Sequence, residues 1–455
     1  MSAKPLRAVE GSQDSIHVPF IVASLLFGVL GGFSLAFSLP VEALAGSFDV
    51  SWVAHAQVHG HLQVVGFAGL FVVGMAFKLA PRFGGQRLMS VPGGERWVLW
   101  LLVAGLLGRT VGQPLAETPA FGALTVAGSV AEAGGATLFL VMMWLTLATA
   151  VRKRQPSALP LVGGAVGFLA QAVLGVWWLS ELAMERREIL GGRENAVLLH
   201  LQFFGVLLPA ILGVGMRSFP TFFGRQPPGL RAGNLVALAA LGGITIWTAG
   251  GILGIVRGGD WWVWTVLGQA LSGAAILAAI LSFGPWRTPS RLAAASKGLA
   301  WSLHPAVLWL AMTGILLLAT ALQSAAAREA TDFAKLDAVR HVFGIGVVTL
   351  AIIAMAQLIL PEFASERLVR KPGGWRGPFF GAALTLAAML RGIVLLAGVE
   401  GDARWWAMAA AGALGWTAVA VFSLLFWRAV RSHRAYLDRT ARARASQLTL
   451  ADDRG

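Results

Sequence analysis

The sequence predicts an all-α membrane protein of about twelve transmembrane helices arranged in three four-helix repeats. Three observations predict it. The 455 residues are 56% hydrophobic and only 13% charged, against roughly 25% charge in a soluble globular domain. Apolar runs of spanning length recur from residue 18 to residue 427, and a bilayer asks for about 20 apolar residues per helix. One pattern of His, Gly, Pro and Phe returns three times at a nearly constant period.

Taken in order, the first span is read at 18–39, behind seventeen mostly polar residues that lack the look of a cleavable signal. The second, 52–79, opens on "HAQVHGH" and then runs apolar. The third, 97–115, carries Arg109 inside it, and the fourth is read at 121–149. The fifth to eighth lie at 158–182, 196–218, 233–256 and 262–284, with His200 near the start of the sixth. The last four lie at 301–322, 337–360, 377–399 and 404–427, with His341 in the tenth and Arg391 in the eleventh. Residues 1–17 and 428–455 are left as tails, and the repeats are read at about 18–149, 158–284 and 301–427. The whole is one membrane domain.

Charge sets the orientation. The formal net charge of +14 reflects 36 Lys and Arg against 22 Asp and Glu, and 24 of the 36 fall in the N-terminal tail, the connections after even-numbered spans and the C-terminal tail. The positive-inside rule therefore puts both termini in the cytoplasm, and the excess charge reads as topology rather than as a nucleic-acid surface. Trp177, Trp178, Trp261, Trp262, Trp405 and Trp406 fall at expected interfaces, where an aromatic belt belongs. "RAVRSHRAYLDRTARARAS" reads as a basic segment meeting anionic membrane lipid. "PRFGGQRLMSVPGGER", "GRQPPGLRAG" and "VRKPGGWRGP" read as Pro/Gly-rich turns with no phosphate-cradling pattern. The chain has no cysteine, which excludes disulfides, iron–sulfur clusters and thiolate metal sites.

The repeat is carried by "HLQVVGFAGLFVVGMAFKLAPRF" from His61, "HLQFFGVLLPAILGVGMRSFPTF" from His200 and "HVFGIGVVTLAIIAMAQLILPEF" from His341. Each has Gly five residues after the histidine, Pro at twenty and Phe two later, at Phe83, Phe222 and Phe363. The spacings are 139 and 141 residues. Met75 and Met355 align but Met216 does not, so the methionines read as packing. His61, His200 and His341 thus share one depth in the outer third, and His55 and His59 sit four apart on one face of the second span.

Neutral imidazole ligates haem iron and copper, and it is costly in hydrocarbon without a partner. Two histidines on facing helices can clamp a haem axially, and an i, i+4 pair such as His55 and His59 can share one metal. The competing reading is of core histidines bonded to backbone or to each other. Arg109 and Arg391 stand 28 and 30 residues beyond their repeats' prolines. Guanidinium grips a carboxylate bidentately, so haem propionates are candidate partners, with Glu117, Glu132 and Asp337 as the alternatives within the chain.

Three four-helix units with histidines at the outer ends of spans 2, 6 and 10 resemble subunit I of the haem–copper oxidases. Within that group "HGHLQVVGFAGLFVVGMAFKLAPR" and "HLQFFGVLLPAILGVGMR" most resemble the NnrS family, over most of residues 18–427. The resemblance implies a bacterial inner-membrane protein containing haem, b-type by expectation, and copper, linked to nitric oxide. It implies that His61, or His59, is one haem ligand, that His341 is its partner, and that His200 is a copper ligand. With His55 and His59 beside His200 a second metal centre is conceivable. The departures are specific: residues 233–256 hold no histidine, the tenth span holds one, and the sole tyrosine, Tyr436, lies in the tail. A proton-pumping oxygen reductase does not fit.

The expected function is haem or copper binding with nitric oxide binding, sensing or detoxification, through an electron donor at the outer face if the role is redox. A small-molecule or metal-ion transporter is the alternative. Transporters usually show twofold or inverted repeats, unlike a same-sense threefold one. A non-catalytic membrane assembly factor, whose histidines only cross-link helices, is the third reading.

Overall fold

Twelve of the apolar runs become helices of 21 to 42 residues in a computed structural model, which describes residues 15–86, 89–153, 155–258, 261–286, 297–365 and 374–452. They are α1 (His17–Leu44), α2 (Val50–Gly84), α3 (Gly94–Leu115), α4 (Pro119–Arg152), α5 (Ala158–Met184) and α6 (Gly192–Phe222), followed by α7 (Leu230–Arg257), α8 (Trp262–Phe283), α9 (Ala300–Ala327), α10 (Phe333–Ile359), α11 (Arg376–Leu396) and α12 (Asp402–Ala443). All are long and apolar enough to cross a membrane, and no strand occurs among the described residues. Most of the N-terminal tail, parts of the first and third Pro/Gly-rich linkers and residues 453–455 lie outside the described residues.

The largest departure from the expected spans is at the C-terminus. The sequence reading ends the last span at 427, whereas the helix runs on without a break to Asp452. Ala, Arg and Leu dominate that stretch, all strong helix formers, so nothing stops the helix where its apolar part ends.

Three helices are inside and the others surround them. The most apolar windows of α2, α6 and α10 are 78%, 72% and 67% buried, against 39–56% for the other nine. Around them, among the described residues, α3 packs on α4, α4 on α5, α7 on α8, α8 on α9, α11 on α12 and α12 on α1. A helix apolar on all sides belongs in such a centre.

Each inner helix changes its winding just after its repeat histidine. Leu62–Gly69, Leu201–Leu207 and Val342–Thr349 are π-helical, and these segments are where the three helices touch one another. A π turn takes one extra residue, rotates the helix beyond it and loosens the hydrogen-bond ladder. Side chains take up carbonyls in these segments: Ser24 Oγ donates to Phe67 O at 2.6 Å and Thr349 Oγ1 to Gly344 O at 2.9 Å. The glycine five residues after each histidine permits close approach. A Cβ on Gly346 would stand 2.6 Å from Trp309 Cγ, and Gly205 presents its backbone carbonyl directly to Gly167.

Beyond the π segments, toward the prolines, the inner helices enclose an apolar cavity of about 100 Å³, lined among others by Phe71, Met75, Leu79, Val214, Ile352 and Met355. Met75 and Met355 are therefore wall residues of an apolar space, and the polar chemistry lies at the histidine end.

Candidate functional site

At the histidine end each inner helix meets the other two, and each meeting point holds a different polar cluster. The first lies between α2 and α10. His59 donates from Nδ1 to Gly32 O of α1 at 2.8 Å, a carbonyl at the end of that helix's own π segment, Gly28–Gly32. His341 Nδ1 lies 2.8 Å from Asp337 O and 3.3 Å from Asp337 Oδ1. Asp337 in turn holds Arg391 of α11, with Nη2 at 3.3 Å from Oδ2. His59 and His341 each stand in the last turn of the α-helical stretch that leads into the π segments through which α2 and α10 touch. With both Nδ1 atoms committed to backbone carbonyls, the Nε2 of each ring is the nitrogen that carries the lone pair. Ligating histidines are held in this way.

The second cluster fills the junction of α2 and α6 and reaches α3, α4 and α5. His61 is buried here. Its Nδ1 accepts from Arg109 Nη1 at 3.1 Å and from Gln202 Nε2 at 3.2 Å. Its Nε2 stands 2.9 Å from Glu132 Oε2, within ion-pair range, though too oblique for a well-formed hydrogen bond. Gln171 Nε2 donates to Glu132 Oε1 at 2.7 Å, and Gln202 Nε2 also donates to Gln171 Oε1 at 3.1 Å. Arg109 Nε donates to Gln113 Oε1, Gln113 Nε2 to Gln57 Oε1, and Gln57 Nε2 to Leu190 O. This chain leads from the bilayer to the α5–α6 loop.

The third cluster lies where α6, α7 and α10 meet. His200 stacks on Trp247 of α7, centroids 3.8 Å apart at 19°. Arg340 of α10 donates from Nη2 to Ala196 O at 3.1 Å, one turn above His200.

The sequence candidates are thus distributed rather than pooled. His59 and His341 fall at the α2–α10 junction, His341 with Arg391 through Asp337. His61 joins Arg109, and two donors already occupy its Nδ1. His59 and His61 are two residues apart, about 200° around the helix, so only one of them can face α10. His55 lies on the loop side, its Nδ1 2.7 Å from Ser51 O. Its neighbour Glu188 is held above the ordinary carboxyl value by burial and by Glu117 and Asp49, with His55 pulling the other way. His55, His59 and His200 do not converge: among the described residues no group of three or more His, Asp or Glu could hold a metal ion. Arg109 and Arg391 both find partners within the protein, through His61 in one case and Asp337 in the other.

A family model for NnrS protein matches residues 17–434. The chain belongs to the NnrS family. Among solved structures it is similar to a haem–copper terminal oxidase dimer determined by cryo-EM, with TM-score 0.66 and 13% identity over 93% of this chain and 84% of that one. That likeness shows a haem–copper oxidase-like fold for this NnrS family membrane protein. Among curated proteins none matches.

Sequence reasoning missed Arg340, Trp247 and the glutamines. Gln202 carried a signal, because "HLQ" follows two of the three repeat histidines. Gln57, Gln113 and Gln171 carried none, since single glutamines in apolar runs are silent about their partners.

Proposed function

We propose that this NnrS family protein binds a b-type haem between α2 and α10, where His59 and His341 would hold it, and serves in nitric oxide binding, sensing or detoxification at the bacterial inner membrane. The observation that carries the reading is the fixed tautomer of these two rings, each with Nδ1 tied to a backbone carbonyl and Nε2 left as donor. Haem, when bound, supplies the affinity for a diatomic gas and the capacity to exchange an electron.

The chain's own residues then have definite tasks. Gly32 O and Asp337 O fix the orientation of the two imidazoles. Arg391 offers positive charge to carboxylates at that junction while compensating Asp337. The buried walls of α2 and α10 keep water away. His61 belongs to the neighbouring cluster and acts as a structural bridge between Arg109 and Glu132. Copper fits less well, because His55, His59 and His200 face three different surroundings, and no step is assigned to it. The distribution of Lys and Arg supports a histidine end that faces away from the cytoplasm.

The test is the visible spectrum of the protein purified in detergent, oxidised and reduced, with metal analysis. A Soret band lost in both His59→Ala and His341→Ala and kept in His61→Ala is the expected result, and the band should shift on addition of nitric oxide. A protein that stays colourless when expressed with ample haem would overturn the reading and leave a transporter or an assembly factor on this fold.

A further inference from the structure

Of the arginines in the polar layer, Arg391 contacts a carboxylate and Arg109 reaches one through His61, and Arg340 contacts none. Arg340 is 2% exposed, has no carboxylate within ion-pair distance among the described residues, and leaves Nη1 without a hydrogen-bond partner. Asp337, one turn earlier on the same helix, is already engaged by Arg391 and His341. A buried guanidinium nitrogen without a hydrogen-bond partner is an unfavourable group in a membrane interior.

Two more unpartnered nitrogens lie beside it. His200 Nε2 and Trp247 Nε1 are both buried without a hydrogen-bond partner, on residues each 4% exposed. Their rings are stacked. Arg340 is anchored on the Ala196 carbonyl, on the face of α6 that carries His200 one turn later. Guanidinium and indole N–H groups can only donate. Arg340 and Trp247 therefore offer two donors and one positive charge, and what these donors lack is an acceptor. The same guanidinium opposes a metal cation beside His200.

We propose that Arg340, Trp247 and His200 form a binding site for a small planar oxyanion, a carboxylate or nitrite, at the junction of α6, α7 and α10. The anion accepts from Arg340 Nη1 and Trp247 Nε1, and His200, its Nδ1 turned to the Ile244 carbonyl, contributes only its stacked ring face. Phe204 on one side of His200 and Phe333 over the guanidinium supply apolar cover. The anion comes either from solution or from a carboxylate side chain of a haem held at the neighbouring junction. The site itself does not depend on that haem.

The experiment is a thermal-stability titration of the full chain in detergent, haem-free and haem-loaded, with sodium nitrite and sodium formate against sodium chloride at equal ionic strength. Nitrite or formate should raise the midpoint of the wild type saturably. In Arg340→Gln the half-saturating concentration should rise at least tenfold, and in Trp247→Phe, which keeps the stack and loses the N–H, it should rise severalfold. Anion-free Arg340→Gln should be at least as stable as the wild type, because it removes a buried donor that has no partner. A response in both haem states identifies a free anion. A response confined to haem-free protein, with weakened haem retention in Arg340→Gln, identifies the haem carboxylate. Equal responses in wild type and Arg340→Gln, or an anion-free Arg340→Gln clearly less stable than the wild type, would overturn the site. Should Arg340→Gln not fold, the Trp247→Phe titration decides alone.

Discussion

Replacing Glu132 by Gln tests whether Arg109 is held in the membrane by a carboxylate that it reaches through an imidazole. Arg109 Nη1 is 3.1 Å from His61 Nδ1, and His61 Nε2 is 2.9 Å from Glu132 Oε2. Guanidinium and carboxylate are thus one ring and two short contacts apart, on the order of 8 Å, which at an effective dielectric of about 20 is worth about 2 kcal/mol. The substituted amide keeps an oxygen for the Gln171 donor now at 2.7 Å, so the change removes charge more than shape. Arg109 is then a buried cation without compensation, a state that costs about 2.5–3.5 kcal/mol on insertion scales. We expect Glu132→Gln to lose about 2–4 kcal/mol in reversible unfolding in mixed micelles, and Arg109→Gln to lose a similar amount by stranding the carboxylate. The double variant decides. If the two charges compensate each other across His61, it loses less than the sum of the singles by about 2 kcal/mol. Additivity within about 0.5 kcal/mol would refute the compensation.

Two further predictions concern other parts of the fold. Glu362, in the short helix Pro361–Ser365 outside the spans, has His17 Nε2 at 3.1 and 3.3 Å from its two carboxylate oxygens. Burial pushes its carboxyl up, but the hydrogen bond and charge of His17, with Lys78 behind it, outweigh burial and hold it below the ordinary 4.5. A carboxyl depressed on folding contributes stability that is full above its unfolded value and is lost as pH falls through the folded one. Thermal midpoints of the wild type should therefore fall below pH 4.5 more steeply than those of Glu362→Gln, and parallel curves would remove Glu362 as the cause. In α5, Gly167→Ala sets a methyl against the Gly205 backbone, which cannot yield as a flexible side chain would. It should cost about 1–3 kcal/mol or more, whereas Gly175→Ala, with nothing within 4 Å, should gain up to about 1 kcal/mol of helix propensity; similar midpoints for the two variants would show that the α5–α6 approach is not tight.

The spans were legible because hydropathy reports the bilayer directly. All twelve helices were visible as apolar runs, and the ends shifted where a helix continues past its apolar part, as α12 does. The spacing of His61, His200 and His341 to their prolines also marked where the π segments begin, one residue after each histidine. What could not be read was rotation about each helix axis. A period count assumes α-helical winding, and the π segments beginning at Leu62, Leu201 and Val342 turn everything beyond them by an amount that no periodicity in apolar residues records. The choice between His59 and His61 was open for a related reason. Both fit the pattern, and only the position of Gly32 O on one side and of Arg109 and Glu132 on the other separates them. Arg340 was hidden beside the more conspicuous His341, since adjacent residues on a helix point about 100° apart and so into different junctions.

That angular relation organises the polar end as a whole. Three helices that touch one another must each present two polar faces, and each does so with residues one or two positions apart. On α2 these are His59 toward α10 and His61 toward α6. On α6 they are Gln202 toward α2 and His200 beside α7 and the Arg340 of α10. On α10 they are His341 beside α2 and Arg340 toward α6. The junctions then differ by what is left over after pairing. Between α2 and α6, His61 is consumed by Arg109, Gln202 and Glu132, and its charges are matched within the protein. Between α2 and α10, the carboxylate of Asp337 is matched by Arg391, and what remains is a pair of rings whose Nδ1 atoms are tied to backbone carbonyls, the pair proposed above to hold haem. Between α6 and α10, a positive charge and donor nitrogens remain, a set for an anion. One repeated helix thus yields three junctions of different chemistry through single-residue choices next to the repeat histidine. Each junction stands or falls by its own variants, because no residue assigned to one lends its side chain to another.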